Sequence, residues 1–208
     1  ATLSERLGTN VYLKMELFQK SGSFKPRGAF NQMLTLGDDA LSKGVVAVSG
    51  GNFAQAVAYA SGVLGVSCLI CMAQNTPQNY VDATKGYGAE VELLPNVHAA
   101  FARVDELVAE GRTALHAFDN PYQMAGNGTA GLEIYEDLPD ITDIFVSIGG
   151  GGLIGGVAVA LKSLKPSIRI WGVETKGAEG MKMAMDAGKV VTFTPSSLSK
   201  TLGPPYVA

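Results

Sequence analysis

Short apolar runs alternate with longer amphipathic segments along most of this chain of 208 residues. Apolar runs of about four to eight residues are typical of strands that are buried on both faces, and the longer segments have helical spacing. The predicted strands are residues 11–15, 45–49, 67–72, 90–94, 114–117, 143–148 and 168–174. The predicted helices are residues 27–36, 53–64, 79–86, 97–110, 128–136, 153–164 and 179–187. This alternation predicts an α/β fold with parallel or mixed sheets that carry helices on both faces.

The spacing of these elements also predicts a division into two lobes. Residues 45–117 hold three or four strand–helix steps with short loops, which is enough for a compact lobe. We therefore expect a small domain over residues 44–123. We expect a large domain to be built from residues 1–43 and 124–208. The chain starts almost at its first predicted strand and stops without a closing element, so we expect it to be truncated at both ends.

Composition restricts the partners and the location that we expect. The net charge is −3, 17% of the residues are charged, and there is no block of Lys or Arg. Nucleic acids and anionic membrane surfaces are therefore poor candidate partners. No apolar run approaches the roughly 20 residues of a membrane span, and the chain opens without a secretory leader. These features predict a cytoplasmic protein.

Two cysteines, Cys68 and Cys71, share one predicted strand. Their spacing could indicate redox or metal chemistry. An extended segment, however, points residues i and i+3 to opposite faces, and the sequence holds no second Cys or His pair that could complete a zinc site. We therefore interpret both as small core residues of a protein in a reducing compartment.

The segment from Ser21 to Ala29 places one lysine in an unusual setting. Lys25 follows the first predicted strand and a polar turn, and it comes just before a predicted helix. A lysine at such a turn can point into a cleft, where burial would lower its pKa and favour the neutral amine that forms a Schiff base. The alternative is an ordinary solvated lysine on a loop.

Four consecutive glycines, 149–152, follow a predicted strand and open a predicted helix. Such a bend lets successive N–H groups converge on an anion, and the helix N-terminus adds partial positive charge, which favours a phosphate site. The structural alternative is a tight turn where backbone packs on backbone. The pattern Gly150-x-Gly152-x-x-Gly155, with Glu174 at the end of the next strand, also satisfies a dinucleotide fingerprint.

Two further loops have small and polar residues at predicted helix starts. Residues 49–53, Ser-Gly-Gly-Asn-Phe, offer the side chains of Ser49 and Asn52 and free N–H groups, which suit a carboxylate or a ring hydroxyl. Ordinary N-capping is the alternative for this loop. Residues 125–129 have the same character. His98 and His116 have no spaced partners, so we interpret them as surface or core residues, and Trp171 is interpreted as core.

Taken together, these motifs resemble the fold-type II pyridoxal-phosphate enzymes, in particular the threonine/serine dehydratase and serine racemase group. The resemblance rests on residues 16–29, which include Lys25, on residues 49–53, on residues 118–133 and on residues 149–153. Four motifs in the same order cover essentially the whole chain. The family resemblance implies a tryptophan-synthase-β-like architecture of two lobes. It explains the lysine motif, which the dinucleotide interpretation does not.

The resemblance implies roles for the residues at matching positions. Lys25 would hold pyridoxal phosphate as a Schiff base and then remove the Cα proton of the substrate. Binding of the cofactor is assigned to Phe24, Lys25, Asn52, Gly149, Gly150, Gly151, Gly152 and Leu153. Binding of the amino acid is assigned to Ser49, Gly50, Gly51 and Asn52. A mono- or divalent cation would be held by Glu174 and by the carbonyl of Ala178, although Gly180 stands where the family has a further acidic ligand.

The implied activity is a deaminating dehydration of L-threonine or L-serine to a 2-oxo acid and ammonia, through an aminoacrylate. Gly50 occupies the position of the serine that acts as the opposite-face acid or base in the racemase, and this favours elimination over racemisation. The alternatives are a β-replacement enzyme or synthase, a racemase, and an inactive binding fragment. The segment that supplies the partner of the pyridine nitrogen would lie beyond Ala208, and the family commonly forms homodimers.

Overall fold

The computed structural model describes residues 2–199 and 202–207 and forms an α/β fold, as the sequence predicts. The strands are β1 (Val45–Val48), β2 (Cys68–Ala73), β3 (Glu90–Leu94), β4 (Thr113–Ala114), β5 (Asp143–Ser147) and β6 (Arg169–Val173). The α-helices are α1 (Thr2–Leu7), α2 (Lys25–Leu34), α3 (Asp38–Ser42), α4 (Asn52–Leu64), α5 (Gln78–Gly86), α6 (Val97–Ala109), α7 (Pro121–Asp137), α8 (Gly152–Leu164) and α9 (Gly180–Ala187). Two single 3₁₀ turns, Glu16–Phe18 and Lys20–Gly22, precede α2.

The first four strands form one parallel sheet in the order β3-β2-β1-β4. Helices α2 and α4 cover one face of this sheet, and α6 covers the other. Successive residues of β1 and β2 therefore point into two different cores. Cys68 belongs to the first core and Cys71 to the second, and burial is the main cause that raises the pKa of each thiol to about 11. The interpretation of both cysteines as buried core residues is confirmed.

Strands β5 and β6 form a second, parallel sheet in which Phe145 pairs with Trp171. Helix α8 covers one face of this sheet, where Val146 and Ile168 are buried. The prediction that Trp171 is a core residue is wrong. Its ring stacks on Phe145 at 6.1 Å between centroids and remains 47% exposed, because no described element covers that face.

The prediction of a first strand over residues 11–15 is wrong. Residues 11–15 form no regular element, and Tyr12 and Leu13 are about two thirds exposed (65% and 67%). A strand needs a hydrogen-bonding neighbour, and none of the described strands lies beside this segment. Lys25 is consequently not on a strand-to-helix turn but is the first residue of α2. Helices α1 and α3 also lie where the sequence analysis predicts no element.

Helix α7 begins at Pro121, seven residues before its predicted start, so the interpretation of residues 125–129 as a loop is wrong. The Asn120 side chain caps the helix by accepting hydrogen bonds from the next two available N–H groups. The glycines suggested a loop, but they serve packing. A Cβ at Gly126 would overlap the Arg27 carbonyl oxygen, and one at Gly128 would lie 2.9 Å from the Gly156 carbonyl oxygen.

The two sheets fall inside the ranges 44–123 and 124–208 of the predicted domains. Helix α2, from the range 1–43, packs both on the first core and against α7. The division into a small and a large domain stays a prediction, and the terminal positions 1 and 208 of its ranges lie outside the described residues. Within the described ranges, no helix has the length and apolar character that a membrane span requires.

Candidate active site

The side chain of Lys25 is partly buried at the start of α2 rather than fully solvated. Its Nζ atom donates a hydrogen bond to the Ala117 carbonyl oxygen at 2.6 Å. The ring centroids of Phe24 and Phe53 lie 5.2 and 5.6 Å from the same nitrogen. Burial lowers the pKa of Lys25 from the ordinary value of 10.5 to about 8. The site therefore tolerates a neutral amine, which is the form that acts as a nucleophile.

The chain reaches Lys25 through a tight turn with an unusual backbone. Ser21 and Gly22 both have left-handed dihedral angles, with φ of 60° and 69°. Such a conformation is ordinary for glycine and uncommon for serine. The Ser21 hydroxyl is also buried without a hydrogen-bond partner among the described residues. Backbone strain together with an unpaired buried hydroxyl is more typical of a functional site than of a simple connection.

Arg27 fixes the first turn of α2 to the surrounding chain. Its guanidinium makes paired hydrogen bonds to the carboxylate of Glu16, at 2.8 and 2.9 Å, and to the carboxylate of Glu133, at 2.6 and 2.7 Å. A fifth bond reaches the Thr129 hydroxyl at 2.9 Å. Hydrogen bonds from Arg27, helped by Lys14, lower the pKa of Glu133 to about 2. This clamp holds the helix turn that carries Lys25 against α7.

The loop of residues 49–53 lies beside Lys25 through Phe53. The Ser49 hydroxyl accepts a hydrogen bond from the Gly51 N–H at 3.2 Å, which shapes the loop. The first backbone hydrogen bond of α4 is donated by Gln55 to the Gly51 carbonyl. The N–H groups of Asn52, Phe53 and Ala54 therefore make no hydrogen bond within the helix. No capping hydrogen bond from a side chain satisfies them at this helix start, so the N-capping alternative is not supported.

The glycine bend joins β5 to α8. Gly151 has φ of 90°, a conformation that requires glycine. The first backbone hydrogen bond of α8 is donated by Gly155 to the Gly151 carbonyl, so the Gly152 and Leu153 N–H groups have no acceptor within the helix. Part of the glycine content is explained by packing: a Cβ at Gly150 would overlap the Phe118 ring. The packing alternative therefore accounts for part of the glycines, and the phosphate site stays a prediction that the free N–H groups of the bend leave open.

The segment His116–Phe118 brings the lysine and the glycine bend together. Its middle residue, Ala117, accepts the hydrogen bond from Lys25. The next residue, Phe118, packs its ring on Gly150, and its carbonyl oxygen lies 2.9 Å from where a Cβ of Gly152 would stand. Burial is the main cause that lowers the pKa of His116, and its neutral Nδ1 accepts the Asp119 N–H at 2.9 Å. His116 thus has the structural role that we expected, but the sequence did not reveal that this segment joins the site.

Of the two residues expected to hold a cation, Glu174 also bonds to the backbone of a helix start. The two carboxylate oxygens of Glu174 accept the N–H groups of Met181 and Lys182, at 2.7 and 2.9 Å, and thereby cap α9. Ala178 is buried in the same turn region. Across residues 2–199 and 202–207, no group of three or more His, Cys, Asp or Glu side chains could hold a metal ion. The dinucleotide alternative assigns this same carboxylate to a ribose, and the cap occupies only part of its capacity to accept hydrogen bonds.

The structure therefore groups most of the predicted site residues. The rings of Phe24 and Phe53 both lie near the Lys25 amine, and residues 116–118 join this amine to the glycine bend. Glu174 and Ala178 lie elsewhere, beside α9. Sequence analysis missed the Ala117 carbonyl, because a backbone acceptor carries no residue-type signal.

Comparisons with known proteins agree with this arrangement. The sequence profile of the family described as pyridoxal-phosphate dependent enzyme matches residues 1–206. An L-threonine ammonia-lyase of Geobacter sulfurreducens is 45% identical over 190 residues, which cover 90% of this chain and 47% of that protein. The catabolic L-threonine dehydratase TdcB of Escherichia coli K12 is 45% identical over 191 residues, which cover 91% of this chain and 58% of that protein. The chain thus spans about half the length of these curated relatives.

Solved structures with the same fold include a maize serine racemase, with a TM-score of 0.96 and 36% identity. That match covers 100% of this chain and 64% of the racemase chain. The processed form of threonine deaminase isoform 2 from Solanum lycopersicum has a TM-score of 0.95 and 38% identity, over 99% of this chain and 61% of its own.

Proposed function

The chain belongs to the family of pyridoxal-phosphate-dependent enzymes, and we propose that it carries the cofactor site of a deaminating dehydratase acting on L-threonine or L-serine. The observation that carries this proposal is the partly buried Lys25 amine, whose backbone acceptor adjoins the residue that packs on the glycine bend. One end of the site offers an amine for covalent attachment, and the other offers N–H groups for an anion. An aldehyde cofactor with a phosphate tail needs both.

The glycine bend fits the phosphate end of the cofactor. The Gly152 and Leu153 N–H groups have no helix acceptor, and Gly151 and Gly152 are buried. The N-terminus of α8 adds partial positive charge at the same point. Gly149, Gly150, Gly151, Gly152 and Leu153 are therefore the residues proposed to bind the phosphate. The phosphate would replace water on N–H groups that the fold leaves unpaired.

Lys25 fits the aldehyde end. With a pKa of about 8, about one Lys25 amine in ten is neutral at pH 7, against about one in three thousand for an ordinary lysine. The rings of Phe24 and Phe53 lie near the amine, so a flat ring bound beside it would be shielded from water. When bound, pyridoxal phosphate supplies the electron sink for negative charge at the substrate Cα. The Nζ atom of Lys25 would take up the proton released there.

The loop that precedes α4 is proposed to hold the amino acid. The N–H groups of Asn52 and Phe53 are free of helix bonds and lie at a helix N-terminus, which favours a carboxylate. The Asn52 side chain is proposed to donate to the ring hydroxyl of the cofactor. Ser49, Gly50 and Gly51 complete the loop, and the Ser49 hydroxyl retains its own hydrogen for a substrate oxygen.

Elimination is proposed over racemisation because Gly50, at the position of the racemase serine, has no side chain that could act as the opposite-face acid or base. The Thr76 side chain fills the space beside it, with its hydroxyl 2.9 Å from where a Cβ of Gly50 would stand. The curated relatives named above, an L-threonine ammonia-lyase and an L-threonine dehydratase, support the same choice.

Turnover tests the proposal directly. The purified protein is incubated with pyridoxal phosphate and with L-threonine, L-serine or D-serine, and the 2-oxo acid is measured with a hydrazine reagent. We expect 2-oxo acid from the L-amino acids, and none from the Lys25→Ala variant. Consumption of L-serine without 2-oxo acid, dependent on an added thiol, would instead identify a β-replacement enzyme. Interconversion of L- and D-serine would identify a racemase.

A homodimer and a cytoplasmic location complete the proposal. The family resemblance supports the dimer, and the two free buried cysteines fit a reducing compartment. Light scattering of the purified protein tests the dimer. Cation binding at Glu174 and the Ala178 carbonyl is tested by comparing thermal stability in magnesium, potassium and chelator.

A further inference from the structure

Three buried amide side chains form one hydrogen-bonded chain across the helices behind the site. Gln32 of α2 is 3% exposed, and Gln123 and Asn127 of α7 are 0% exposed. The Gln32 Nε2 donates to the Gln123 Oε1 at 2.6 Å. The Gln123 Nε2 donates to the Asn127 Oδ1 at 3.5 Å. The Asn127 Nδ2 donates to the Gly152 carbonyl oxygen at 3.1 Å.

The first amide of this chain is tied to the lysine end of the site. Gln32 lies two turns after Lys25 on the same helix. Its Nε2 donates to the His116 carbonyl oxygen at 2.9 Å, and its Oε1 accepts the His116 N–H at 3.1 Å. The residue after His116 is Ala117, whose carbonyl holds the Lys25 amine. Gln32 therefore ties α2, which carries Lys25, to the segment that holds the Ala117 carbonyl, the acceptor of the Lys25 amine.

The last amide is tied to the glycine bend. Gly152 is the first residue of α8, and its N–H belongs to the bend. The bond from Asn127 holds the carbonyl of this residue against α7. Gly128, the residue after Asn127, and Gly156, one turn after Gly152, bring the backbones of α7 and α8 into direct contact. The position of the bend is therefore set from α7, on which Gln123 also sits.

Polar groups in such a position are costly unless all of them are paired. Each amide here donates to the next, so rotating any one amide would place two donors face to face. The two bonds of Gln32 to the His116 backbone fix the direction of the whole chain. Apolar side chains would fill the contact between α2 and α7 without this desolvation cost. What the amides add is one defined spacing between the elements that they join.

We propose that Gln123 and Asn127 are positioning residues that hold the glycine bend at a fixed distance from the Lys25 amine. This proposal rests on the proposed function. A cofactor attached to Lys25 meets the N–H groups of the bend only if that distance matches its length. The amide chain thereby makes the protein select the phosphorylated cofactor over pyridoxal, which lacks the phosphate.

The test compares the affinities for pyridoxal phosphate and for pyridoxal. Each probe is titrated into the purified protein, and the covalent linkage to Lys25 is followed by its near-ultraviolet absorbance. The variants are Gln123→Met and Asn127→Leu, which keep side-chain volume close to that of the original residue. The matched control is Asn31→Ala, which removes an exposed hydrogen bond from α2 to the Tyr122 carbonyl on α7.

We expect each of the two variants to lose about tenfold of the preference for pyridoxal phosphate, equal to about 1.4 kcal/mol. Binding of pyridoxal should change less than twofold. Asn31→Ala should keep the wild-type preference. An unchanged preference in Gln123→Met and Asn127→Leu, or equal losses for both probes, would overturn the proposal and leave a merely structural role.

The outcomes also separate this proposal from the function on which it rests. If the wild-type protein forms no linkage with either probe, the proposed function fails and this proposal fails with it. If the wild-type protein forms the linkage but the variants keep its preference, this proposal alone fails. Should a variant not fold, the side-chain amide NMR signals of Gln123 and Asn127 in the wild-type protein decide. They should shift with pyridoxal phosphate and not with pyridoxal, and unchanged signals would overturn the proposal.

Discussion

Burial of an amine for reactivity should reduce the stability of the cofactor-free protein, and Lys25→Met measures that cost. The folded protein lowers the pKa of Lys25 from 10.5 to about 8. The folded state therefore disfavours the charged form. The penalty is fully present below about pH 8, where the amine is protonated in both states, and it disappears as the pH rises through 10.5. At about 1.4 kcal/mol for each tenfold change in the equilibrium, the penalty is about 3 kcal/mol.

Methionine removes this penalty, keeps the unbranched apolar stem, and loses the hydrogen bond to the Ala117 carbonyl, which is worth about 1 kcal/mol. We expect Lys25→Met to unfold at higher urea concentration, with a gain of about 2 kcal/mol at pH 7 that is lost by about pH 10.5. The assay is urea unfolding of the cofactor-free protein between pH 6 and pH 11. Lys20→Met, at an exposed lysine of the preceding turn, is the matched control and should show no such dependence. Destabilisation by Lys25→Met at pH 7, or a gain that does not vary with pH, would refute the reasoning.

Three other substitutions test the elements around the site. Glu133→Gln should lower the free energy of unfolding by about 1 kcal/mol at pH 6, a value that allows for solvent screening of this 41% exposed side chain. The difference should vanish as the pH falls from about 4.5 to about 2, because the wild-type carboxylate then loses the charge that Arg27 binds. Asn120→Ala should cost about 1 kcal/mol in urea unfolding because two N–H groups of α7 lose their cap. Gly126→Ala should cost about 1–3 kcal/mol because its Cβ would overlap the Arg27 carbonyl, whereas Gly86→Ala, with open space around it, should be neutral or stabilising.

Each of these expectations has a result that contradicts it. A Glu133→Gln difference that persists at pH 2 would mean that the Arg27 clamp does not depend on charge. A neutral Asn120→Ala would mean that α7 starts elsewhere. Equal effects of Gly126→Ala and Gly86→Ala would mean that α2 and α7 are not in backbone contact.

The parallel sheets were predictable because they depend on local patterns. Buried strands with continuous apolar residues, such as β1 and β2, carry their signal in a few adjacent positions. The glycine bend was recognisable for the same reason, since four glycines at a strand-to-helix junction are a local signal. The lysine motif pointed correctly to a desolvated Lys25 with a lowered pKa, although the strand expected before it does not form.

The errors arose where tertiary contacts override local preference. Glycines at 126 and 128 predicted a loop, yet in α7 they let its backbone contact the backbones of α2 and α8. Trp171 reads as core because its strand is apolar, yet only one face of its sheet is covered by described residues. Nothing in the sequence indicated that Gln32 and Gln123 are connected, because only the packing of α2 on α7 brings their amides into hydrogen-bond contact. None of these contacts can be found from spacing along one chain.

The covalent attachment at Lys25 is tested most directly by trapping it. The protein is mixed with pyridoxal phosphate, reduced with borohydride, digested and analysed by mass spectrometry. We predict one phosphopyridoxyl group, located on the peptide that contains Lys25 and absent from the Lys25→Met variant. A protein that carries no label, or that is labelled equally at exposed lysines such as Lys20, would contradict the assignment.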